Sequence, residues 1–400
     1  MKVLLVHNRY RTSAPSGEDA AVDNERRMLE RNGVQVALFD RCNDDIVDTG
    51  LIAKSTIALN TIWSQSSRSE LRALLQQIRP DIVHVHNTFA MLSPSIYGPC
   101  REAGIPVVQT LHNFRFFCPS ALFLRDGKPC EACVDSSLLQ SIRYRCYRGS
   151  RSATTTLAAM LTVHRALGTY RGIDRYIALT KFARSKAIRA GLPEWKVVVK
   201  ANFLPDPPPP GRGSGNYVVY VGRLLEGKGT ETLIRAWRGL PDVPLRIVGD
   251  GALRESLEAL ARREARNVEF CGRLPREAVL RTIADARLLV IPSDCYEGFP
   301  MVVAEAFACG TPILASNIGS LAELVHEGET GATFPAGDAS ALAAAVRRLL
   351  ANEAGLAAMR LRARASFEAE LTEGRNLDSL MQIYQDLIRS PRRRPAAQPA

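Results

Sequence analysis

Short apolar runs alternate along this chain with longer stretches of helical character. Lys2–Val6, Val34–Phe39, Ile82–Val85, Val107–Leu111 and Tyr176–Leu179 are rich in β-branched and aliphatic residues and read as strands. The pattern breaks and then resumes with Val218–Val221, Leu245–Val248, Val268–Phe270, Leu288–Ile291 and Ile313–Ala315. Alternation of strand and helix predicts an α/β protein with a doubly wound parallel sheet in each half. Two Rossmann-like domains facing a cleft are therefore expected, with ligands at the carboxyl ends of the strands.

The break itself is informative. Leu204-Pro205-Asp206 is followed by four prolines and then by Gly211-Arg212-Gly213-Ser214-Gly215-Asn216. A stiff polyproline piece joined to a flexible glycine piece predicts a linker over 205–216 that joins no packed element. It separates an N-terminal domain (1–204) from a C-terminal one (217–375), each of ordinary domain size. The Pro/Ala/Arg/Gln tail over 391–400 is expected to be disordered.

Two segments carry the candidate chemistry. Glu297-Gly298-Phe299-Pro300-Met301-Val302-Val303-Ala304-Glu305 places two carboxylates eight positions apart around a Gly-Phe-Pro turn, between a buried strand and an apolar helix ending near Gly310. Pro300 suits the first helical position, where an amide would be unpaired anyway. The free amides from Met301 to Val303 would then form an electropositive cup for a phosphate. Glu297 stands before that cup and Glu305 beyond it, in reach of hydroxyls, a combination that suits a sugar nucleotide. The second segment follows the strand ending at Val221 and reads Gly222-Arg223-Leu224-Leu225-Glu226-Gly227-Lys228-Gly229. Arg223 and Lys228 on this glycine-punctuated loop are placed to clamp a diphosphate. The run departs from a P-loop where Gly229 replaces the Ser or Thr hydroxyl that would hold magnesium.

With Val248-Gly249-Asp250-Gly251, Glu305-Ala306-Phe307-Ala308-Cys309-Gly310-Thr311-Pro312, Gly319-Ser320 and Glu323, these motifs resemble the retaining glycosyltransferases of family 4, of GT-B fold. Pro80-Asp81-Ile82-Val83-His84-Val85-His86 and Thr110-Leu111-His112-Asn113 extend the resemblance over most of the chain. It implies a metal-independent transfer from a UDP- or GDP-linked sugar to a polysaccharide, oligosaccharide or lipid-linked acceptor, with no cofactor required. Arg223 and Lys228 would neutralise the leaving diphosphate, Glu297 would hold the sugar and Glu305 the ribose hydroxyls. Gly222, Gly249, Gly298, Phe299, Met301 and Val302 would line the donor site, and His112 would lie beside the transferred sugar. Gly17 stands in a loop that in the family holds two adjacent glycines; Ser16 replaces the first. The last helix, expected over 376–390, would cross back to the first domain. A nucleotide-sugar epimerase on the same fold and a non-catalytic binding protein are the alternative readings.

The remaining features refine this picture. His84 and His86 alternate on one strand face and are expected to be ordinary hydrogen-bonded histidines; no second histidine at helical or strand spacing makes His112 a metal site. Nine cysteines argue against a disulfide framework. Cys118, Cys130, Cys133 and Cys146 cluster in an insertion over about 115–150, where either a structural zinc or reduced thiols packing a lid fits the spacing. Apolar content of 46% and the want of any eighteen-residue apolar run predict a soluble chain, read as cytoplasmic because Met1 to Val6 forms a strand and not a signal peptide. The net charge of +11 is largely arginine around 143–151 and 165–189, and in Arg392-Arg393-Arg394. An anionic membrane surface at the cytoplasmic face accounts for it; nucleic acid is not expected.

Overall fold

The computed structural model describes residues 1–13, 16–46 and 50–389. The expected tail over 391–400, its arginines and residue 390 lie outside the described residues, as do Ala14 and Pro15 of the first loop.

Fourteen strands form two six-stranded parallel sheets and one small hairpin among the described residues. The N-terminal half contributes β1 (Lys2–Arg9), β2 (Gln35–Cys42), β3 (Ile82–Asn87) and β4 (Val107–Leu111). Then come the hairpin strands β5 (Leu124–Arg125) and β6 (Lys128–Pro129), followed by β7 (Arg175–Ala178) and β8 (Val197–Val199). The C-terminal half contributes β9 (Val218–Val221), β10 (Leu245–Val248), β11 (Val268–Gly272), β12 (Leu288–Ile291), β13 (Ile313–Ser316) and β14 (Gly331–Phe334). The sheet orders are β2-β1-β3-β4-β7-β8 and β11-β10-β9-β12-β13-β14. Helices cover both faces of each sheet, so the central strands are buried on both sides; β9 and β12 read as unbroken apolar runs, whereas β3 and β4 also bury His84, His86, Gln109 and Thr110.

The strand order reverses beside β1 in the first sheet and between β9 and β12 in the second. Loops leaving neighbouring strands there go to opposite faces and open a crevice. The second crevice lies between the Gly222–Gly229 loop after β9 and the Pro292–Pro300 loop after β12, the two segments singled out by sequence.

Residues 205–216 differ from the expected linker. Gly211, Gly213 and Gly215 donate backbone hydrogen bonds to Cys309, Ala284 and Asp285 carbonyls at 2.9, 3.2 and 2.8 Å. A Cβ on Gly211 would stand 2.2 Å from the Ala284 carbonyl oxygen. Here glycine serves close approach, not flexibility: the segment is a strap laid on the C-terminal half.

The last helix, Glu373–Arg389, is seated on the first sheet. Leu380 and Tyr384 are buried in one cluster with Val3, Leu5, Ile82 and Val108. Asn376 Oδ1 accepts from the buried Lys200 ammonium at 2.9 Å, and its Nδ2 donates to the Ala201 carbonyl at 2.7 Å. No helix is long and apolar enough to cross a membrane among the described residues.

Candidate functional site

Three loops meet backbone to backbone at the second crevice. Gly222 N–H donates to the Val248 carbonyl at 3.0 Å, Leu224 N–H to Asp250 at 2.9 Å and Gly249 N–H to Gly272 at 2.8 Å. Gly249 has φ +136°, and a Cβ there would stand 1.9 Å from the Gly222 carbonyl oxygen. Gly229, at φ +65°, would place one 1.7 Å from the Pro292 carbonyl oxygen. Only glycine lets these chains approach so closely. The glycines are therefore what brings the loop carrying Arg223 and Lys228 against the loop carrying Glu297.

Lys228 Nζ lies 2.7 Å from Glu297 Oε1, and Ser293 Oγ donates to the same oxygen at 2.7 Å. Burial pushes the Glu297 carboxyl up, but Lys228, Ser293 and Arg223 outweigh it and hold it below the usual range. Burial likewise lowers Lys228, and Glu297 with its neighbours reverses that. Both groups are thus ionised. The expected diphosphate clamp and the expected sugar holder are partnered with each other, while the Arg223 side chain is exposed. Ser293 was not singled out by sequence; a lone serine after a strand carries no signal until Glu297 is seen folded back on it.

The phosphate cup is narrower than expected. Pro300 is the residue before the helix Met301–Ala308 (φ −65°, ψ 122°) and not its first residue. Its carbonyl accepts from Val303 N–H at 3.0 Å. The first-turn amides left to face a ligand are those of Met301 and Val302. Further along this helix, Glu305 is pushed above the usual carboxylate range by burial, with only Arg276 acting against it.

The N-terminal half closes onto this site. A Cβ on Gly298 would stand 2.5 Å from the His112 carbonyl oxygen, and one on Gly17 3.6 Å from Met301 Cγ. Ser16 caps the helix Gly17–Arg31, with Asp19 completing a capping box, while Gly17 reaches the donor side. Glu18 escaped the sequence reading. It is buried; Tyr10 Oη and Asn113 Nδ2 both donate to its Oε2 at 3.2 Å, and its Oε1 has no partner. Glu323 accepts the Lys181 and Phe182 amides at 2.8 and 2.7 Å, so one half caps a helix of the other. The cysteine-bearing insertion packs on the same seam. Leu124 lies against Gly227, and Tyr296 Oη donates to Glu131 at 3.1 Å while its ring meets Phe114, Phe123 and Phe182.

His84 and His86 are both buried. His86 Nδ1 lies 2.9 Å from His112 Nε2, so His112 does acquire a histidine neighbour, from the adjacent strand. Among the described residues, Glu25, His84 and His86 are the one set of three or more His, Cys, Asp or Glu with ligand atoms within 4.8 Å of one another. The insertion thiols are looser than that. All four are free, and burial first, then Cys118, Cys146 and Cys130, push Cys133 up to about 12. A tetrahedral zinc with bonds of about 2.3 Å needs sulfurs roughly 3.8 Å apart. No three of the four sulfurs all lie within 4.8 Å of one another.

A family described as Glycosyltransferase Family 4 matches residues 19–205, and one described as Glycosyl transferases group 1 matches residues 207–366. The chain is 41% identical over 155 residues to the glycogen synthase of Mycobacterium tuberculosis (strain ATCC 25618 / H37Rv), covering 37% of this chain. It spans 36% of that relative's length. It is 28% identical over 344 residues to the 2-deoxystreptamine N-acetyl-D-glucosaminyltransferase of Streptomyces fradiae, covering 79% of this chain and 73% of the relative. Anabaena Alr3699/HepE, solved with UDP, superimposes with TM-score 0.67 at 17% identity, covering 97% of this chain and all (100%) of that one. Sucrose-phosphate synthase from Thermosynechococcus elongatus gives TM-score 0.71 at 19% identity over 97% and 99% of the two chains. These likenesses agree with two parallel-sheet domains of GT-B type. The two family matches together take in both sheets and both candidate loops, and the chain belongs to the group 1 glycosyltransferases of family 4.

Proposed function

We propose that this chain transfers a sugar, with retention of anomeric configuration, from a nucleotide-diphosphate sugar to a saccharide or lipid-linked acceptor. The observation that carries the reading is the Lys228–Glu297 pair at the second crevice, with the Met301–Ala308 helix start beside it and His112 across the seam. A diphosphate at the Met301 and Val302 amides draws Lys228 and Arg223 onto its oxygens, and Glu297 turns to sugar hydroxyls. Glu305 holds the ribose. The bond from the anomeric carbon to the diphosphate breaks with its electron pair on the phosphate oxygen, where the cations act most strongly as charge grows. The acceptor oxygen bonds to the same carbon on the same face, and its proton goes to the departing diphosphate. Arg223 and Lys228 supply the positive charge that a divalent metal gives elsewhere.

Relatives favour two bases. Alr3699/HepE is solved with UDP-glucose, and a Mycolicibacterium smegmatis relative, 35% identical over 176 residues, is described as GDP-mannose-dependent. On the acceptor side, Leu139 and Tyr144 stand 70% and 43% exposed among the arginines of the insertion. That mixed face supports work at an anionic membrane surface.

A thermal-shift panel of UDP, GDP, ADP and their common sugar conjugates tests the donor site. A ligand at a hundredfold its Kd stabilises by about 2.7 kcal/mol, a shift of a few degrees. Stabilisation by one base family, lost in Lys228→Ala, supports the reading; no shift at millimolar ligand with folded protein overturns it.

A further inference from the structure

Beneath His112 lies a buried polar network that the reaction as described does not use. Glu25, on the helix Gly17–Arg31, is its centre and is almost wholly buried. Its Oε2 accepts from Lys200 Nζ at 3.2 Å. Its Oε1 stands 2.9 Å from His84 Nδ1 and 3.3 Å from His86 Nε2, without a straight hydrogen bond to either. His84 Nδ1 also meets Tyr384 Oη at 2.7 Å, and its Nε2 meets Thr110 Oγ1 at 2.7 Å. From His86 the chain of contacts runs to His112 at 2.9 Å.

The electrical balance of this cluster is closed without a metal ion. One carboxylate faces one ammonium: Lys200 lies on Glu25 Oε2, while Oε1 faces the two histidines. The His86 and His112 rings are then neutral. Burial, together with the neighbouring His84, lowers His86 to about 3, and burial lowers His112 well below its ordinary value. A neutral imidazole carries one N–H, and which nitrogen holds it is set by the partner of the other. The carboxylate repels a lone pair on His86 Nε2 and attracts a proton there.

We propose that Glu25 is a positioning residue for His112: it keeps the His86 proton on Nε2, so His86 Nδ1 accepts from His112 Nε2–H and His112 offers Nδ1 as a bare acceptor. That acceptor takes a hydroxyl proton of the transferred sugar, a consequence that rests on the role given to His112 above. The other groups around the pair agree with this. His7 on β1, its ring 6.2 Å from His86, is held by Asp19 at 2.7 Å. Tyr384 and Asn376, both on the helix Glu373–Arg389, brace His84 and Lys200. The crossing helix therefore contributes to the state of a histidine in the cleft.

The test reads the imidazole nitrogens directly. Proton–nitrogen spectra of the full chain, labelled at histidine and assigned with His112→Asn, report the tautomer with no substrate present. In the wild type His112 is expected as Nε2–H. In Glu25→Gln, Lys200 draws the amide oxygen and the NH2 faces His86 Nε2. His86 then moves its proton to Nδ1, and His112 switches to Nδ1–H. Because Glu25→Gln leaves Lys200 buried and unpaired, the neutral pair Glu25→Ala/Lys200→Met is measured beside it and is expected to show both tautomers. Nδ1–H on His112 in the wild type overturns the proposal; so does unchanged Nε2–H in either folded variant. If neither variant folds, the wild-type tautomer alone decides. The result stands apart from the donor panel, whose failure removes the sugar contact but leaves the tautomer assignment intact.

Discussion

At the scale of single residues, the site is defined by charges held close together before any ligand arrives. Lys228 and Glu297 neutralise one another, so removing one leaves the other buried without its ion-pair partner. Lys228→Ala is therefore expected to lose donor binding and also to cost about 3–5 kcal/mol of stability. Glu297→Gln/Lys228→Met is expected to recover most of that stability and none of the binding; urea titration beside the nucleotide panel separates the two effects. Gly298→Ala probes the seam. Its Cβ would stand 2.5 Å from the His112 carbonyl oxygen, so the two halves must part. A displacement of about 1 Å at the reacting atoms costs on the order of a hundredfold in rate. Transfer measured with a working donor is expected to fall by that much while nucleotide binding persists.

These residues differ in how plainly sequence announces them. Glycines flanking Lys228, the proline before Met301 and the carboxylates around them form local strings whose meaning follows from a turn or a helix start. Glu18, Ser293 and Glu25 belong to no such string. Glu25 lies sixty-one positions from His86 in the chain and meets it only because the first helix folds back over β1 and β3. The cysteines are a different case: their close spacing suits either a zinc or reduced thiols packing a lid, and all four are free in the folded insertion.

At the scale of elements, strand existence was legible and strand length was not. Val107–Leu111, Val218–Val221, Leu245–Val248 and Leu288–Ile291 have the expected bounds because both ends of each apolar run fall where the sheet ends. β1 runs on to Arg9, past the apolar run, because His7, Asn8 and Arg9 pair in register with Asp40, Arg41 and Cys42. Polar residues at a strand's carboxyl end face a crevice and need no apolar partner. β8 and β14 are short strands at sheet edges, three and four residues long. The helix Lys181–Arg189 is capped by Thr180 and by Glu323 from the other half. Glu323→Ala is expected to lower the melting temperature by a few degrees, as loss of a cap costing about 1 kcal/mol does. Calorimetry is expected to show the two halves unfolding less cooperatively.

For the whole molecule, the helix Glu373–Arg389 makes the chain one unit, since a segment of the C-terminal end completes the N-terminal core. Buried neutral histidines make that core sensitive to acid. The folded-state value of His86, about 3, lies below its ordinary 6.5, so the unfolded chain takes up the proton first. Its contribution is complete above pH 6.5 and is lost as pH falls towards 3. Burial works to raise Glu25, but its neighbours, the Lys200 ammonium among them, hold it below its ordinary value, and it acts in the same direction. Urea unfolding between pH 7 and 4 is expected to show stability falling with pH, and His86→Gln is expected to flatten that slope.

The sequence alone determined the two-domain α/β plan, the family and the two loops proposed to form the donor site. Each of these rests on short-range periodicity, on glycine and proline chemistry at turns, or on contiguous motifs. Tertiary structure decided the rest: that Lys228 holds Glu297, that the glycine strap is packed, that Gly298 touches His112, and that Glu25 reaches His112 through His86. Those contacts join residues far apart in the chain, and their geometry is set by strand register and by closure of one half on the other. A sum of local preferences contains neither.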